Sequence, residues 1–378
     1  MPMKKTLICL MLLLFLYSYS KGQTATELFN SQKYQELIKL ESKANTLTPI
    51  ELYMLGFAFF QSENDTKAIE FYDKAISKGY NEACVYYYKG LALRYSHKYD
   101  EALQEVTKSI EKDPNNQEYR NEKGLILYNQ GQQDKALAVF QEAKKLTNTI
   151  GEPYFWVAHI YHEQQNYQKA LSLYYEAVDS IPKSNSYYCK TLQAIGQLEY
   201  TFTKDYRKSI NAYTEVLKIT PKDYKYYTKL IKALNAAKEY AKADSVFDLL
   251  KIAYNNKELS EDDMKFRNIA IDEYEWNGQI MTVYKQLVDP QKSLDLSYKI
   301  YLISKDGKKV ERTFMVEKTI QIAEGVKHLL CERKKEGSHI TYPLGWSTDT
   351  IPLIDIKKAV NLVLEGKIEQ GASSKTGN

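Results

Sequence analysis

The sequence predicts an all-α helical solenoid followed by a small α+β domain. The solenoid is predicted because successive small residues are spaced by 34 residues, at Ala68, Ala102, Ala136 and Ala170. The run continues at Ser209, after a step that is longer by five positions, and at Ala243, one regular step later. A fixed period of this length indicates a stacked array of small units. The α+β domain is predicted because the period stops near Lys257 and runs rich in β-branched and aromatic residues follow.

Positions on both sides of the small residues repeat with the same period. Twelve residues before the first four stand Gly56, Gly90, Gly124 and Ala158. Four residues after each of the six stands a larger side chain: Tyr72, Val106, Phe140, Tyr174, Tyr213 and Phe247. Prolines at 114, 182 and 221 are expected to end helices. A small residue lets a second helix approach closely, so each unit is predicted to be two antiparallel helices that bury their apolar faces by stacking.

This pattern resembles the tetratricopeptide repeat (TPR) over residues 49–256. Four units match clearly: Pro49–Glu82, Ala83–Asn116, Gln117–Ile150 and Gly151–Ser184. A fifth, near Lys190–Asp223, follows a five-residue insertion and has Gln197 where the glycine is expected. The sixth, Tyr224–Lys257, has Ile231 there. The resemblance implies an all-α TPR-type helical solenoid, and residues 23–48 are predicted to form a degenerate N-terminal capping repeat.

The N-terminus predicts export. A basic start, Met1–Lys5, precedes an apolar run, Leu7–Tyr17, and small residues follow at Ser18, Ser20 and Gly22. This order is typical of a secretory signal peptide, here residues 1–22, with cleavage after Ser20 or Gly22. The run is shorter than the roughly 20 residues of a membrane-spanning helix, although a retained anchor is the alternative. The mature chain is therefore predicted to be periplasmic or secreted, without a membrane span.

The C-terminal third carries signals for strands and helices in turn. Residues 257–278 are predicted to form a connecting helix that starts at Ser260–Asp263, and 279–369 a small α+β domain. Its strands are expected at Leu294–Ser304, Val310–Ile322, Val326–Glu332 and His339–Tyr342, with a hairpin turn at Lys305–Lys308 and a closing helix at Ile354–Leu364. Residues 370–378 are predicted to be a disordered tail.

Composition and motifs argue against several classes of function. A formal charge of +4 over 378 residues is too small to indicate a nucleic-acid partner. The sequence holds no Gly-rich phosphate loop, no Gly-x-Ser-x-Gly elbow and no His-Glu-x-x-His motif. Cys84, Cys189 and Cys331 lack the close spacing of a zinc site, and the sequence does not choose a disulfide pair among them. No cofactor and no enzymatic activity are predicted.

A few side chains keep a chemical alternative open. His159 and His162 are three residues apart on a predicted helix, with Glu163 adjacent, so a bound zinc or copper ion is one interpretation. The favoured interpretation is that they are polar residues of a binding groove. His328 and Cys331 are expected on opposite faces of a strand, which disfavours a nucleophile–base pair. Trp346 is predicted to anchor a loop, with an exposed aromatic platform as the alternative.

The resemblance implies a concave groove lined by the first helix of each unit, at its second, fifth, ninth, twelfth and thirteenth positions. Over the first four units these positions hold Tyr53, Phe57, Phe60, Tyr87, Leu91, Arg94, Tyr95, Glu118, Asn121, Tyr128, Glu152, Phe155, His159, His162 and Glu163. The sixth unit adds Lys225, Lys232 and Asn235. Only Arg94 is basic in the first four units, so the carboxylate clamp of some relatives is not expected.

The predicted function is an exported TPR scaffold that mediates protein–protein interaction, with a protein or peptide partner in this aromatic groove. One alternative is a glycan or peptidoglycan-fragment binding protein of the cell envelope, because stacked tyrosines also suit the faces of sugars. A second alternative is an enzyme with its site in the C-terminal domain. The partner and the oligomeric state are left open by the sequence.

Overall fold

The computed structural model describes residues 24–146, 151–259, 268–286, 298–303, 310–321, 325–333, 339–343 and 353–367. The chain divides into two compact units, the first ending at Pro182 and the second beginning at Lys183. The predicted signal peptide and the predicted tail at 370–378 lie outside the described residues. Within the described part of the chain, no helix combines the length and the apolar composition needed to cross a membrane.

The first unit opens with a short helical cap. It consists of α1 (Ala25–Asn30), α2 (Tyr34–Ile38) and a 3₁₀ helix (Lys39–Thr46). Thr24 and Glu27 form a reciprocal capping box at the start of α1. Leu28 and Leu37 are buried together with Met54 of the helix that follows, so the cap covers the apolar end of the first repeat.

Four antiparallel helix pairs follow in the described residues of the first unit. They are α3 (Pro49–Gln61) with α4 (Asp65–Ser77), α5 (Ala83–Tyr95) with α6 (Tyr99–Lys112), α7 (Gln117–Asn129) with α8 (Gln133–Ala143), and α9 (Glu152–Glu163) with α10 (Tyr167–Ser180). Thr48 caps α3 through a capping box with Glu51, and Pro49 occupies the first helical turn. Asn64, Asn116 and Asn166 cap α4, α7 and α10.

The periodic residues make the contact within each pair. Ala68, Ala102, Ala136 and Ala170 are fully buried. A Cβ atom added to Gly56 would lie 2.8 Å from the ring of Tyr72, so glycine is required where this ring crosses the first helix. The turn inside each pair also follows the repeat period, because it places one residue in the left-handed region at Glu63, His97, Gly131 and Gln165, with φ between 59° and 76°.

The second unit contains two further pairs and a sheet. The fifth pair joins α11 (Ser186–Leu198), continued by a π-helical turn (Glu199–Thr203), to α12 (Tyr206–Ile219). The sixth joins α13 (Tyr224–Ala236) to α14 (Tyr240–Asn255). Ser209 and Ala243 are buried like their counterparts in the first unit. The described part of residues 49–256 therefore holds the twelve helices and the buried small residues that the spacing predicts.

The predicted register of the fifth unit is wrong. Helix α11 begins at Ser186, one regular period after Glu152 begins α9, so the five-residue insertion lies within this first helix and not before it. Gly196, rather than Gln197, takes the glycine position, because an added Cβ atom would lie 2.7 Å from the ring of Tyr213. Gly196 and Tyr213 are one position further apart in the sequence than Gly56 and Tyr72, as expected where a π turn adds one residue.

The described residues of the C-terminal segment form a six-stranded antiparallel sheet in sequential order. The strands are β1 (Asn268–Trp276), β2 (Gln279–Gln286), β3 (Tyr298–Ile303), β4 (Val310–Gln321), β5 (Gly325–Arg333) and β6 (His339–Pro343), and α15 (Leu353–Leu364) follows. Strands β3 to β6 and α15 confirm the sequence prediction, and the predicted turn at 305–308 lies outside the described residues. Side chains buried in this region include Val283, Ile300, Phe314, Leu330 and Val360.

The predicted connecting helix over 257–278 is wrong where the structure describes it, because 268–276 is strand β1. Its expected start at 260–263 lies outside the described residues. Glu273 and Glu275 are exposed, whereas Tyr274 and Trp276 are partly buried, which is the two-residue period of a strand. Strand β2 was also not predicted. It pairs antiparallel with β1 from Asn268 with Gln286 to Trp276 with Gln279, with a bulge at Ile271.

Candidate functional site

The predicted groove residues lie on α3, α5, α7 and α9, the first helices of the four pairs in the first unit. Their aromatic rings touch from helix to helix. Phe57 of α3 meets Tyr88 of α5 with ring centroids 4.9 Å apart, and Tyr87 of α5 meets Tyr119 of α7 at 4.8 Å. We call the side chains of Phe57, Phe60, Tyr87, Tyr88 and Tyr95 the aromatic surface.

Exposure varies along this set of residues. Tyr95 is the most open, with 54% of its surface exposed, and it lies 6.0 Å from the ring of Phe60. Phe57, Phe60 and Tyr87 are half-buried. Large rings that keep part of their area in water while contacting one another edge-on or tilted are typical of interaction surfaces.

Two predicted groove residues, Phe155 and Leu91, belong to the core, and Tyr53 is half-buried against core side chains. Phe155 is 8% exposed and stacks on His159, and Leu91 is buried. Tyr53 packs against the rings of Tyr80 and Tyr72, and burial followed by the neighbouring Cys84 raises the pKa of its hydroxyl. Of the predicted aromatic groove residues, the aromatic surface retains Phe57, Phe60, Tyr87 and Tyr95, and the structure adds Tyr88.

Arg94 is engaged within the protein. Its Nη2 lies 3.3 Å from Oε2 of the buried Glu122, and its Nε also donates to that carboxylate. The guanidinium carbon lies 4.4 Å from the centre of the Tyr95 ring. Burial raises the pKa of Glu122 more than Arg94 lowers it. Arg94 therefore neutralises an internal carboxylate and supports Tyr95, so its side chain is already engaged within the first unit.

Sequence reasoning missed the sixth position of each unit. Tyr88, Glu122 and Trp156 are spaced by 34 residues and each contacts the preceding unit. Tyr88 meets Phe57, Glu122 pairs with Arg94, and Trp156 meets Tyr128 at a centroid distance of 5.0 Å. The shared spacing was the available signal, but the three residue types differ, so no recurring chemistry marks this position in the sequence.

Glutamates of α7 and α9 act electrostatically on Tyr87 of α5. Burial first, and then Glu122, Glu118 and Glu152, raise the pKa of the Tyr87 hydroxyl. Glu152 accepts a hydrogen bond of 3.4 Å from Nδ2 of Asn121 and one of 3.4 Å from Nε1 of Trp156. We call Tyr87, Glu118, Asn121, Glu122 and Glu152 the acidic cluster. Three carboxylates against the one guanidinium of Arg94 leave a formal excess of negative charge.

The histidines of α9 form a hydrogen-bonded cluster with tyrosines. The Tyr128 hydroxyl donates to Oε1 of Glu163 at 2.6 Å. The Tyr174 hydroxyl lies 3.4 Å from Nδ1 of His159 and 3.5 Å from Nδ1 of His162. Burial lowers the pKa of His162, so this ring is neutral near pH 7. In the described segments no group of three His, Cys, Asp or Glu side chains is arranged to hold a metal ion.

The groove residues predicted in the sixth repeat bind other residues of the second compact unit. Nδ2 of Asn235 donates to the backbone oxygen of Ile271 at 2.7 Å, and Nζ of Lys232 lies 2.5 Å from Oε1 of Glu273. Strand β1 therefore covers this face of α13, and the expectation that Lys232 and Asn235 line an open groove is wrong. Lys225 pairs with Asp223 at 3.2 Å. Trp346 and the side chain of His328 lie outside the described residues.

Comparisons with known proteins support the repeat. A family model described as tetratricopeptide repeat matches residues 52–77, and one described as Psidin, N-terminal TPR repeats region, matches residues 95–200. A TPR repeat-containing protein of Methanocaldococcus jannaschii is 24% identical over 141 residues, 37% of this chain and 25% of that protein. The chain thus spans about a quarter of the length of this relative.

Two solved structures are similar in fold. The C-terminal part of a TPR repeat-containing protein from Cytophaga hutchinsonii is 21% identical, with a TM-score of 0.44, and covers 54% of this chain and 80% of its own. The Pseudomonas aeruginosa pilF protein is 16% identical, with a TM-score of 0.46, and covers 58% of this chain and 96% of its own.

Proposed function

Because this chain is a tetratricopeptide-repeat protein, we propose that it is a scaffold that binds a protein segment on the aromatic surface of its first unit. Tetratricopeptide repeats indicate a protein-interaction scaffold, and proteins of this family are generally non-catalytic. The proposal specifies where the partner lies and which side chains hold it.

One observation carries the proposal: aromatic rings on α3 and α5 contact one another edge-on or tilted across successive helices and remain partly exposed. Close packing of a repeat requires small and aliphatic residues, and the buried alanines and glycines already supply that contact. Removing apolar area from water contributes about 25 cal/mol per Å², and rings that stay exposed do not gain this free energy. A partner that covers Tyr87, Tyr95 and Phe60 would gain this energy, and Tyr residues beside an Arg are frequent in interface hot spots.

The test is capture of partners from the protein's own cell envelope, with quantification by mass spectrometry. The variant is Tyr87→Ala/Tyr95→Ala, and the matched control is Tyr175→Ala, because Tyr175 is 37% exposed on α10, a second helix. Each of the two tyrosine substitutions should weaken partner binding by about 1 kcal/mol or more, which is roughly a fivefold loss of affinity. Capture that is undiminished in a folded double variant would exclude the aromatic surface as the binding site.

We further propose that the scaffold acts outside the cytoplasm after cleavage of a signal peptide that ends at Ser20 or Gly22. The support is the order of basic, apolar and small residues at the N-terminus. N-terminal sequencing of the protein purified from its native cells should begin at Lys21 or Gln23. A chain that begins at Met1 and stays with the membrane after a carbonate wash would contradict cleavage and favour a retained anchor.

A further inference from the structure

We propose that Lys229, in the second compact unit, binds the carboxylate of an acidic ligand. The inference goes beyond the proposed function, because Lys229 lies on α13 and the site uses none of the residues of the aromatic surface. Lys229 is the sixth residue of the sixth repeat. Like the residues at the matching position of earlier repeats, it reaches the preceding repeat, where its Nζ lies 5.9 Å from the centre of the Tyr213 ring of α12.

Three lysines lie on one face of α13, because Lys225, Lys229 and Lys232 are four and three residues apart. The two outer lysines each hold a carboxylate of the protein. Nζ of Lys225 lies 3.2 Å from Asp223, and Nζ of Lys232 lies 2.5 Å from Glu273 of β1. In the parts of the chain that the structure describes, Nζ of Lys229 forms neither an ion pair nor a hydrogen bond. The middle lysine therefore lacks the carboxylate that its two neighbours hold.

The ammonium of Lys229 lies against two tyrosine rings. Its Nζ is 5.2 Å from the centre of the Tyr226 ring, and Nζ of Lys225 is 5.0 Å from the same ring. Tyr226 and Tyr213 are buried, with ring centroids 6.1 Å apart, so the core fixes the surface on which Lys229 lies. A cation–π contact attracts the charge but supplies no oxygen acceptor for the three N–H donors of an ammonium group.

Burial distinguishes Lys229 from an ordinary surface lysine. Its side chain is half-buried, so part of it is removed from water while another part stays accessible to a ligand. Burial, and after it the positive charge of Lys225, lowers the pKa of the Lys229 ammonium. A carboxylate bound beside Nζ would oppose both effects, because it replaces lost hydration by a charged hydrogen bond and offsets the repulsion between the lysines.

The charges nearby favour a singly charged ligand group. Asp223 already places a negative charge next to the site, and its partner is Lys225. A carboxylate matches the one lysine that lacks an acidic partner, whereas a phosphate monoester, with nearly two negative charges, would be repelled more strongly by Asp223. The site also differs from a clamp at the ninth and twelfth positions of the repeat, because Lys232 and Asn235 bind β1 there. An acidic side chain of a protein segment and a free organic acid present the same carboxylate.

The experiment is calorimetric titration of the full mature chain with two blocked pentapeptides, acetyl-Leu-Glu-Leu-Glu-Leu-amide and its counterpart with glutamine in place of glutamate. Glutamine keeps the shape of glutamate and removes its charge. The glutamate peptide should bind at least about fivefold more tightly, because charge-assisted hydrogen bonds are roughly twice as strong as neutral ones. Sodium acetate at about 100 mM, compared with sodium chloride at the same ionic strength, separates the two sources of the carboxylate. Acetate that removes the preference assigns the site to free acids as well, and a preference that acetate leaves intact assigns it to a peptide segment.

Substitutions of Lys229 locate the effect. Lys229→Met keeps an apolar stem on the tyrosine rings and removes the charge, so the two peptides should then bind to within about twofold. Lys229→Gln repeats this test with a polar side chain, and Lys229→Arg keeps the charge and should keep the preference. Lys251→Met is the matched control, because Nζ of Lys251 lies 5.5 Å from the ring of Phe247 but already holds Asp248 at 2.8 Å. This control should leave the preference unchanged.

The Tyr87→Ala/Tyr95→Ala variant should also keep the preference for the glutamate peptide, because the aromatic surface belongs to the first compact unit. Failure of the proposed function therefore leaves this site to be decided by the titration alone. Equal binding of the two peptides by the parent protein would overturn the inference. A preference that persists in folded Lys229→Met or Lys229→Gln protein, or one that Lys251→Met reduces as much as they do, would overturn it as well.

Discussion

Replacing Gly124 by alanine has two opposite effects on the free energy of unfolding. In an exposed helix the change would stabilise the protein by about 1 kcal/mol, because alanine has the higher helix propensity. In α7, however, the new Cβ atom would lie 2.6 Å from Cε1 and Cζ of Phe140 and 2.9 Å from its Cδ1. Ordinary carbon contacts are about 3.5–4.0 Å, so the methyl group is roughly 1 Å too close to three ring atoms.

Phe140 has little room to move away. It is fully buried, and its ring stacks on Trp156 with an interplanar angle of 9° and a centroid distance of 5.9 Å. Overpacking of this kind costs about 1–3 kcal/mol, and the confined ring places the cost at the upper end. After the gain of about 1 kcal/mol in propensity, we expect Gly124→Ala to lower the free energy of unfolding by about 2 kcal/mol.

Urea unfolding followed by circular dichroism measures this change, and a double-mutant cycle identifies its cause. Phe140→Leu removes the clashing ring atoms, so Gly124→Ala should be nearly neutral in that background, with a coupling energy of about 1–2 kcal/mol. The fourth pair is the control: Ala158 already stands at the matching position, and Ala158→Gly should be destabilising. A Gly124→Ala variant more stable than the parent would refute the packing explanation.

Three further predictions test other parts of the fold. Ala136→Leu should overpack the fully buried contact of α8 and cost about 1–3 kcal/mol, and a melting temperature equal to that of the parent would contradict the assignment. Lys357→Met should cost about 3 kcal/mol in urea unfolding, because Nζ of Lys357 lies 2.5 Å from the buried Asp272, whereas Lys358→Met on the exposed side of α15 should cost almost nothing. Burial holds the pKa of His162 below 6.5, so the unfolded chain takes up a proton that the folded chain resists, and stability should fall as the pH drops through 6.5 and level off below the folded pKa. His162→Gln should reduce that fall, and an identical pH profile in the two proteins would refute the assignment.

Local contacts explain which parts of the fold were predictable. The residues that join the two helices of a pair lie close together in the sequence, as Gly56 and Tyr72 do, and their types recur with the repeat period. The turn inside each pair shows the limit of that signal. All four turns of the first unit adopt one left-handed residue, yet only Gly131 is a glycine. The repeat period therefore predicts where these turns lie, whereas the residue types at the turns do not.

In the fifth repeat, a small insertion makes the spacing predict the wrong register. An insertion of five residues is visible in the sequence, but its position within the unit is not. The structure places it inside the first helix, where a π turn at Glu199–Thr203 takes up one residue and restores the contact between Gly196 and Tyr213. Sequence spacing alone could not distinguish this solution from an insertion in the preceding loop.

The sequence by itself determined the repeat, the four N-terminal helix pairs, the small buried residues and most of the C-terminal strands, because each depends on contacts between neighbours along the chain. Tertiary structure alone decided which groove positions remain open. Arg94 is paired with Glu122 from the next unit, and strand β1 covers Asn235 of α13 through a backbone hydrogen bond. The first contact joins residues 28 positions apart and the second joins residues 36 positions apart, and the sequence around one partner does not indicate the other. Their partners are chosen by three-dimensional packing, which no local period encodes.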